Sequence, residues 1–117
     1  QMLKIRSTIF GVDHGADAIF DHFDAETEMW TGDGVREVQQ PVTFSEPFEQ
    51  VPVVQVAVSL MDADTDAFLR LRVGARGVTR QGFTARCEVW GDTRIARLML
   101  TWQATGALDD PEEYWRL

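Results

Sequence analysis

Residues 82–106, GFTARCEVWGDTRIARLMLTWQATG, contain two segments in which apolar and polar residues alternate. The apolar positions share one face in each segment: Phe83, Ala85, Cys87 and Val89 in the first, and Ala96, Leu98, Leu100, Trp102 and Ala104 in the second. A period of two is typical of a β-strand that buries one face. Gly91 and Asp92 separate the segments and suit a tight turn, because glycine tolerates positive φ and aspartate can bond nearby amides. We therefore predict an antiparallel hairpin here, with Cys87 as a small buried side chain.

The same one-sided pattern recurs elsewhere in the chain. Residues 36–44 read as a strand, and residues 53–60 place Val54, Val56, Val58 and Leu60 on one face. Residues 69–76 place Leu69, Leu71, Val73 and Ala75 inward and Arg70, Arg72, Gly74 and Arg76 outward. No long helical period appears. The pattern predicts an all-β fold, an antiparallel six-stranded β-sandwich.

Length and charge restrict the function. The 117 residues suit one domain, with 44% hydrophobic residues and a net charge of −8. Such an acidic chain repels nucleic acid and anionic lipid, and no apolar run approaches the roughly 20 residues of a membrane span. The first 15 residues lack the continuous apolar segment of a signal peptide. We expect no nucleic-acid partner and no membrane insertion.

We divide the chain into three parts. Residues 1–28 are expected to be an N-terminal segment of short strand and turns that packs on the domain, residues 29–107 form the sandwich, and residues 108–117 form a tail. The tail carries Tyr114, Trp115 and Leu117, which we expect to pack on this subunit or a neighbour.

The acidic segments and the two histidines do not predict a metal site. His14 and His22 lie eight positions apart with few other ligand types around them, which favours solvated loops. Asp62, Asp64 and Asp66 alternate as in the first half of a calcium loop, but the glycine and the distal glutamate of such a loop are missing. A nucleophile–base pair and a phosphate-binding loop are also not apparent, so we expect neither a cofactor nor an enzyme.

The turn segment WGDT at 90–93, preceded by GF and followed by TWQA, resembles the H-type lectins, the family of snail agglutinins and of discoidin C-terminal domains. VTFSEPF at 42–48 and VPVVQVAVSL at 51–60 match in order and spacing, so the resemblance covers residues 30–106. It implies a lectin for galactose or N-acetylgalactosamine glycans that is multivalent as a homotrimer or a higher assembly. An extracellular or surface role is also implied.

The resemblance implies a site composed of residues from several segments. Asp33 aligns with a loop carboxylate that bonds sugar hydroxyls, and Arg70 with an arginine at the sugar site. Trp90 supplies an aromatic face for sugar C–H groups. Asp33 also has a purely local interpretation, since its GDG segment is a turn signal.

Two positions depart from the family pattern. Gly91 stands where snail agglutinin has a histidine that bonds the sugar, and Ala96 stands where the family has a tyrosine. Trp30 is our candidate for the missing aromatic wall. The alternative function is a non-catalytic trimeric structural or attachment module, of the fibre-tip type, without a working sugar pocket.

The outward strand faces are the predicted subunit interface. They carry the residues Arg72, Arg97, Ile95 and Met99. A half-apolar face with arginines suits a symmetric oligomer, because assembly covers the apolar part. Salt bridges across the sheet, for example to Glu88, are the alternative use of the arginines.

Overall fold

The computed structural model describes residues 1–21 and 28–110, which form six strands and one short helix. The elements are β1 (Phe10–Asp21), α1 (Glu28–Thr31), β2 (Arg36–Thr43), β3 (Val53–Ala63), β4 (Leu71–Arg76), β5 (Gly82–Val89) and β6 (Ile95–Ala107). They make two antiparallel three-stranded sheets, with the strand orders β1-β6-β3 and β2-β5-β4. The predicted all-β sandwich is confirmed.

The predicted hairpin in residues 82–106 is wrong. β5 pairs with β2 and β4, whereas β6 pairs with β1 and β3, so the two strands belong to different sheets. The segment between them, residues 90–94, therefore crosses from one layer of the sandwich to the other. Alternation shows which face of a strand is buried but not which strand it pairs with.

The inward faces of the two sheets enclose the core. Its fully or nearly fully buried residues include Val42, Phe44, Phe48, Phe83, Ala85, Cys87, Val89, Leu98, Leu100 and Ala104. Cys87 is 0% exposed, as expected for a small buried side chain. The Trp102 ring lies 5.5 Å from that of Phe83 and 5.9 Å from that of Phe44. Burying a large apolar side chain of this kind stabilises the fold by about 1.5–3 kcal/mol.

The N-terminal segment is part of the sandwich rather than an addition to it. β1 pairs with β6 from Phe10, opposite Ala107, to Asp21, opposite Arg97. The amide of Leu108 donates to the carbonyl of Ile9 at 2.9 Å and extends this pairing. β1 therefore belongs to the β1-β6-β3 sheet, and the division of the chain at residue 28 stays a prediction. His22 and the aromatic tail residues lie outside the described residues.

Three side chains depart from the predicted faces. Ile95 is 0% exposed and joins the core, so it does not face outward as predicted. Leu69 precedes β4 and is 53% exposed rather than inward. Val58 is 38% exposed, and the register of β3 against β6 shifts between Val58 and Leu60. A second register shift, between Asp62 and Ala63, lies opposite Ile95, and a bulge moves the residues beyond it to the other face, whereas Leu69 lies outside the strand and follows no alternation.

Candidate functional site

The turn from β5 to β6 lies at the centre of a set of contacts at one end of the sandwich. Gly91 has φ +70°, in the left-handed region that favours glycine. Its carbonyl accepts a hydrogen bond from the amide of Gly34 at 3.0 Å and one from Nη2 of Arg36 at 3.1 Å. The loop that carries Asp33 is thereby fixed to the turn.

Arg36 fastens three segments to one another. This residue begins β2 and is only 6% exposed. Its Nε donates to the carbonyl of Gly34 at 3.0 Å, and its Nη1 to the carbonyl of Met29 at 3.5 Å. A buried charge is tolerated when its donors are satisfied in this way. The guanidinium therefore holds α1, through Met29, and the loop after it against the Gly91 turn.

Arg70 lies on another side of the same turn. Its Nη1 donates to Oδ1 of Asp92 at 2.8 Å. A Cβ atom placed on Gly91 would lie 2.9 Å from Nη1 of Arg70, closer than such contacts normally are. Because Gly91 has no side chain, the Arg70 guanidinium can occupy the space beside it.

Thr93 connects the turn to the segment before β4. This residue is 1% exposed, and its hydroxyl donates to the carbonyl of Phe68 at 2.6 Å while accepting from the amide of Arg70 at 2.8 Å. The Phe68 ring is 71% exposed, and its centroid lies 5.1 Å from Cζ of Arg70. This distance is in the range of a cation–π contact.

The carboxylate of Asp92 is stabilised in its charged form. Desolvation raises the pKa of Asp92, but hydrogen bonds from its own backbone amide, from Arg70 and from the backbone of Phe68 outweigh it. The resulting pKa lies below the ordinary value, so Asp92 is ionised near neutral pH and remains a partner for the guanidinium.

The residues predicted for the sugar site fall at this end of the molecule. Asp33 is exposed on the loop bonded to Gly91, and Arg70 lies against that turn. Trp90 directly precedes Gly91, and Trp30 lies on α1; both are half-buried.

Four residues at this end were missed as site residues: Arg36, Phe68, Asp92 and Thr93. Asp92 and Thr93 belong to the quoted turn motif, which is a signal for them. Arg36 and Phe68 have no comparable signal, because their partners are distant in sequence.

The residues predicted for the interface do not share one surface. Arg72 is exposed on the outer face of the β2-β5-β4 sheet, and Met99 is half-buried on that of the β1-β6-β3 sheet. Arg97 pairs with Asp62 across β6 and β3 at 2.8 Å, the kind of bridge considered as the alternative. Ile95 is buried within the chain.

A shallow trough crosses the outer face of the β1-β6-β3 sheet. Its volume is about 540 Å³. The lining residues are Val12, His14, Gly15, Ala16, Gln55, Val56, Ala57, Thr101, Trp102 and Gln103. None of them is aspartate, glutamate, lysine or arginine, although these make up 26% of the chain. The outer face of the other sheet is different, because Arg86 there pairs with Glu37 at 2.6 Å and with Glu88.

Other kinds of site find little support in the part of the chain that the structure describes. Residues 1–21 and 28–110 contain no group of three or more histidine, cysteine, aspartate or glutamate side chains that could hold a metal ion. Burial raises the pKa of the Cys87 thiol to about 12, which keeps it protonated and unreactive. The described part also contains no helix with the length and apolar character that a bilayer crossing requires.

Comparisons with known proteins agree with this architecture. The family model described as "H-type lectin domain" matches residues 39–105. A protein of Fuscovulum blasticum described as "ATP synthase subunits region ORF 7" is 41% identical over 113 residues, which are 97% of each chain. Two structures of discoidin II from Dictyostelium discoideum superpose with a TM-score of 0.74, at 23% and 24% identity over 92% and 89% of this chain. The chain spans about two fifths of those discoidin II chains, 41% and 40%, and the likeness to them shows the fold.

Proposed function

Because the chain belongs to the H-type lectin family, for which carbohydrate binding is the supported general function, we propose that it binds galactose- or N-acetylgalactosamine-type glycans. The proposed site is the end of the sandwich at the Gly91 turn. The observation that carries the proposal is the convergence there of the Asp33 loop and the Arg70 guanidinium, each bonded to that turn.

The groups at this end are chemically suited to a sugar. Hydroxyl groups are fixed by charged donors and acceptors, and Arg70 and Asp33 supply one of each. Because Asp92 already holds one edge of the Arg70 guanidinium, the remaining N–H groups have a defined direction. Trp90 and Trp30 each retain some exposed indole surface for the apolar C–H face of a pyranose. Gly91 contributes no side-chain hydrogen bond, so each single site is expected to be weak.

Assembly into a homotrimer or a higher assembly is the second part of the proposal. The trough on the β1-β6-β3 sheet is lined by no aspartate, glutamate, lysine or arginine, which supports an interface there, since charged residues are depleted in the centres of interfaces. Arg97 and Met99 lie on this same sheet face. Several weak sites on one rigid body bind a sugar-coated surface more tightly than one site does. Arg72 lies on the opposite sheet and would take part only in a higher assembly.

Glycan binding is tested with two variants and a matched control. On a glycan array, wild type is expected to bind terminal galactose or N-acetylgalactosamine, and Trp90→Ala and Asp33→Asn to lose most of the signal. Asp109→Asn is the control, because Asp109 is an exposed aspartate beyond the other end of β6, roughly 40 Å away at 3.3 Å per residue. Unchanged binding in both site variants would contradict the assignment.

Assembly is tested by introducing an arginine on the outer face of one sheet at a time, with the sheet outside the proposed interface as the control. Thr101→Arg lies in the trough on β6, and Thr84→Arg lies outward on β5, the central strand of the other sheet. Light scattering should give a monomer for the first variant and a trimer for the second and for wild type. A monomeric wild type, or a trimeric Thr101→Arg, would contradict the proposed interface.

A second candidate function is an attachment module that has lost the pocket. It is favoured by Gly91 and by Ala96, which is 5% exposed and presents no aromatic wall. A trimer that binds no glycan on the array would support this function over the first.

A further inference from the structure

We propose that Phe68 is the apolar platform of the sugar site, on which the C–H face of a pyranose packs while the Arg70 guanidinium bonds its hydroxyls. This inference rests on the proposed lectin function. It adds a contact residue that lies outside the turn motif and outside the residues implied by the family resemblance.

Phe68 is exposed to a degree that the fold does not require. Its exposed fraction is 71%, whereas Phe44, Phe48, Phe83 and the tryptophans at positions 30, 90 and 102 are buried or half-buried. Phe10 is also exposed, at 54%, but it lies opposite Ala107 at the far end of β6. A solvent-exposed phenyl ring forgoes the stabilisation that burial would give, so Phe68 does not serve the core, and its surface is available for contact.

The ring is also held in place, which separates it from an ordinary loop side chain. The buried hydroxyl of Thr93 bonds the Phe68 carbonyl at 2.6 Å and the amide of Arg70 at 2.8 Å. Arg70, itself fixed by Asp92 at 2.8 Å, lies 5.1 Å from the ring centroid. Despite this contact, Phe68 stays 71% exposed. An ordered aromatic surface loses little entropy when a ligand packs on it.

Neither Gly91 nor Ala96 supplies an aromatic contact at this end. The space beside Gly91 is taken by the Arg70 guanidinium, and Ala96, at the position of the family's aromatic wall, is buried. Phe68 and Arg70 together then offer what a sugar requires, an apolar face beside a directional donor. In a galactose-type ring the hydrogens on C3, C4 and C5 lie on one side and form the complementary apolar patch.

The test compares Phe68→Ala with Leu69→Ala and Phe68→Tyr. Leu69 is the adjacent residue and is also an exposed apolar side chain, at 53%, so its truncation is the matched control. Titration with methyl galactoside, followed by NMR, should show affinity roughly 2- to 10-fold weaker for Phe68→Ala, as expected for loss of one aromatic contact. Leu69→Ala and Phe68→Tyr should bind within about twofold of wild type, because the ring is not removed.

A direct readout comes from the sugar itself. In wild type, the H3, H4 and H5 resonances of the bound sugar should shift upfield through the ring current of Phe68, and this shift should disappear in Phe68→Ala. Equal affinities and equal shifts in Phe68→Ala and Leu69→Ala would overturn the platform and leave the lectin function standing. A wild type that binds no glycan would overturn both. A fall in oligomer mass in Phe68→Ala would also overturn the platform, since the ring would then be a subunit contact.

Discussion

Replacing Arg36 by methionine tests whether one buried guanidinium organises the functional end of the molecule. Methionine keeps the length and most of the apolar volume of the side chain but removes every donor. The carbonyls of Gly34, Gly91 and Met29 then lose the hydrogen bonds that they accept at 3.0, 3.1 and 3.5 Å. We expect Arg36→Met to reduce both the free energy of unfolding and the affinity for glycans.

The magnitude follows from these three contacts. Hydrogen bonds from a charged group contribute about 1.5–3 kcal/mol each when lost from a buried site. The Gly91 carbonyl keeps its bond from the Gly34 amide, and the contact to Met29 is long, so the loss is less than the full sum. Methionine carries no charge that must be desolvated on folding, and this gain offsets part of the lost stability. We expect a loss of about 2–4 kcal/mol, which lowers the urea midpoint by about 1–3 M at typical slopes.

The assay is urea unfolding followed by tryptophan fluorescence, at one protein concentration because assembly shifts apparent stability. Arg72→Met is the matched control, since Arg72 is exposed on β4 and forms no ion pair with any residue in the described part of the chain. It should change stability by no more than about 0.5 kcal/mol. If Arg36→Met is no less stable than Arg72→Met, Arg36 does not fasten the three segments as described.

Two further predictions concern glycine conformation and the lone thiol. Gly91→Ala and Gly77→Ala should each destabilise by about 1–2 kcal/mol, because both glycines have φ in the left-handed region, at +70° and +59°. Only Gly91→Ala should weaken glycan binding, since a Cβ there meets Arg70 whereas a Cβ on Gly77 meets nothing; equal affinities would contradict the role of Arg70. Cys87 should not react with a thiol reagent at pH 8 until the protein unfolds, because its pKa is raised to about 12 by burial. Rapid labelling of the native protein would refute this protection of Cys87. The raised pKa also implies that the free energy of unfolding falls as pH rises above about 9, because the Cys87 thiol then ionises in the unfolded chain but not in the folded one.

The sequence motif identified one segment of the candidate site, residues 90–93, but not the residues that contact it from elsewhere in the chain. A hairpin turn was predicted at the WGDT segment, but residues 90–93 cross between the two sheets, and Arg70 and the Asp33 loop are bonded to this crossover. Arg36 and Phe68 could not be identified in that way. Arg36 bonds Gly91 across 55 positions and Phe68 bonds Thr93 across 25, and an alternating pattern contains no information on such pairs.

The sequence by itself determined the six-stranded sandwich, the family and, apart from Val58, Leu69 and Ile95, the buried and exposed faces of the predicted strands. The reason is that one-sided burial imposes a period of two on every strand, and this period is visible without coordinates. Only the tertiary structure decided that β5 and β6 belong to different sheets and that residues 10–21 form a full strand of the sandwich. Strand partners are chosen by contacts between segments distant in sequence, and the same choice places the exposed ring of Phe68 beside Arg70 at the Gly91 turn.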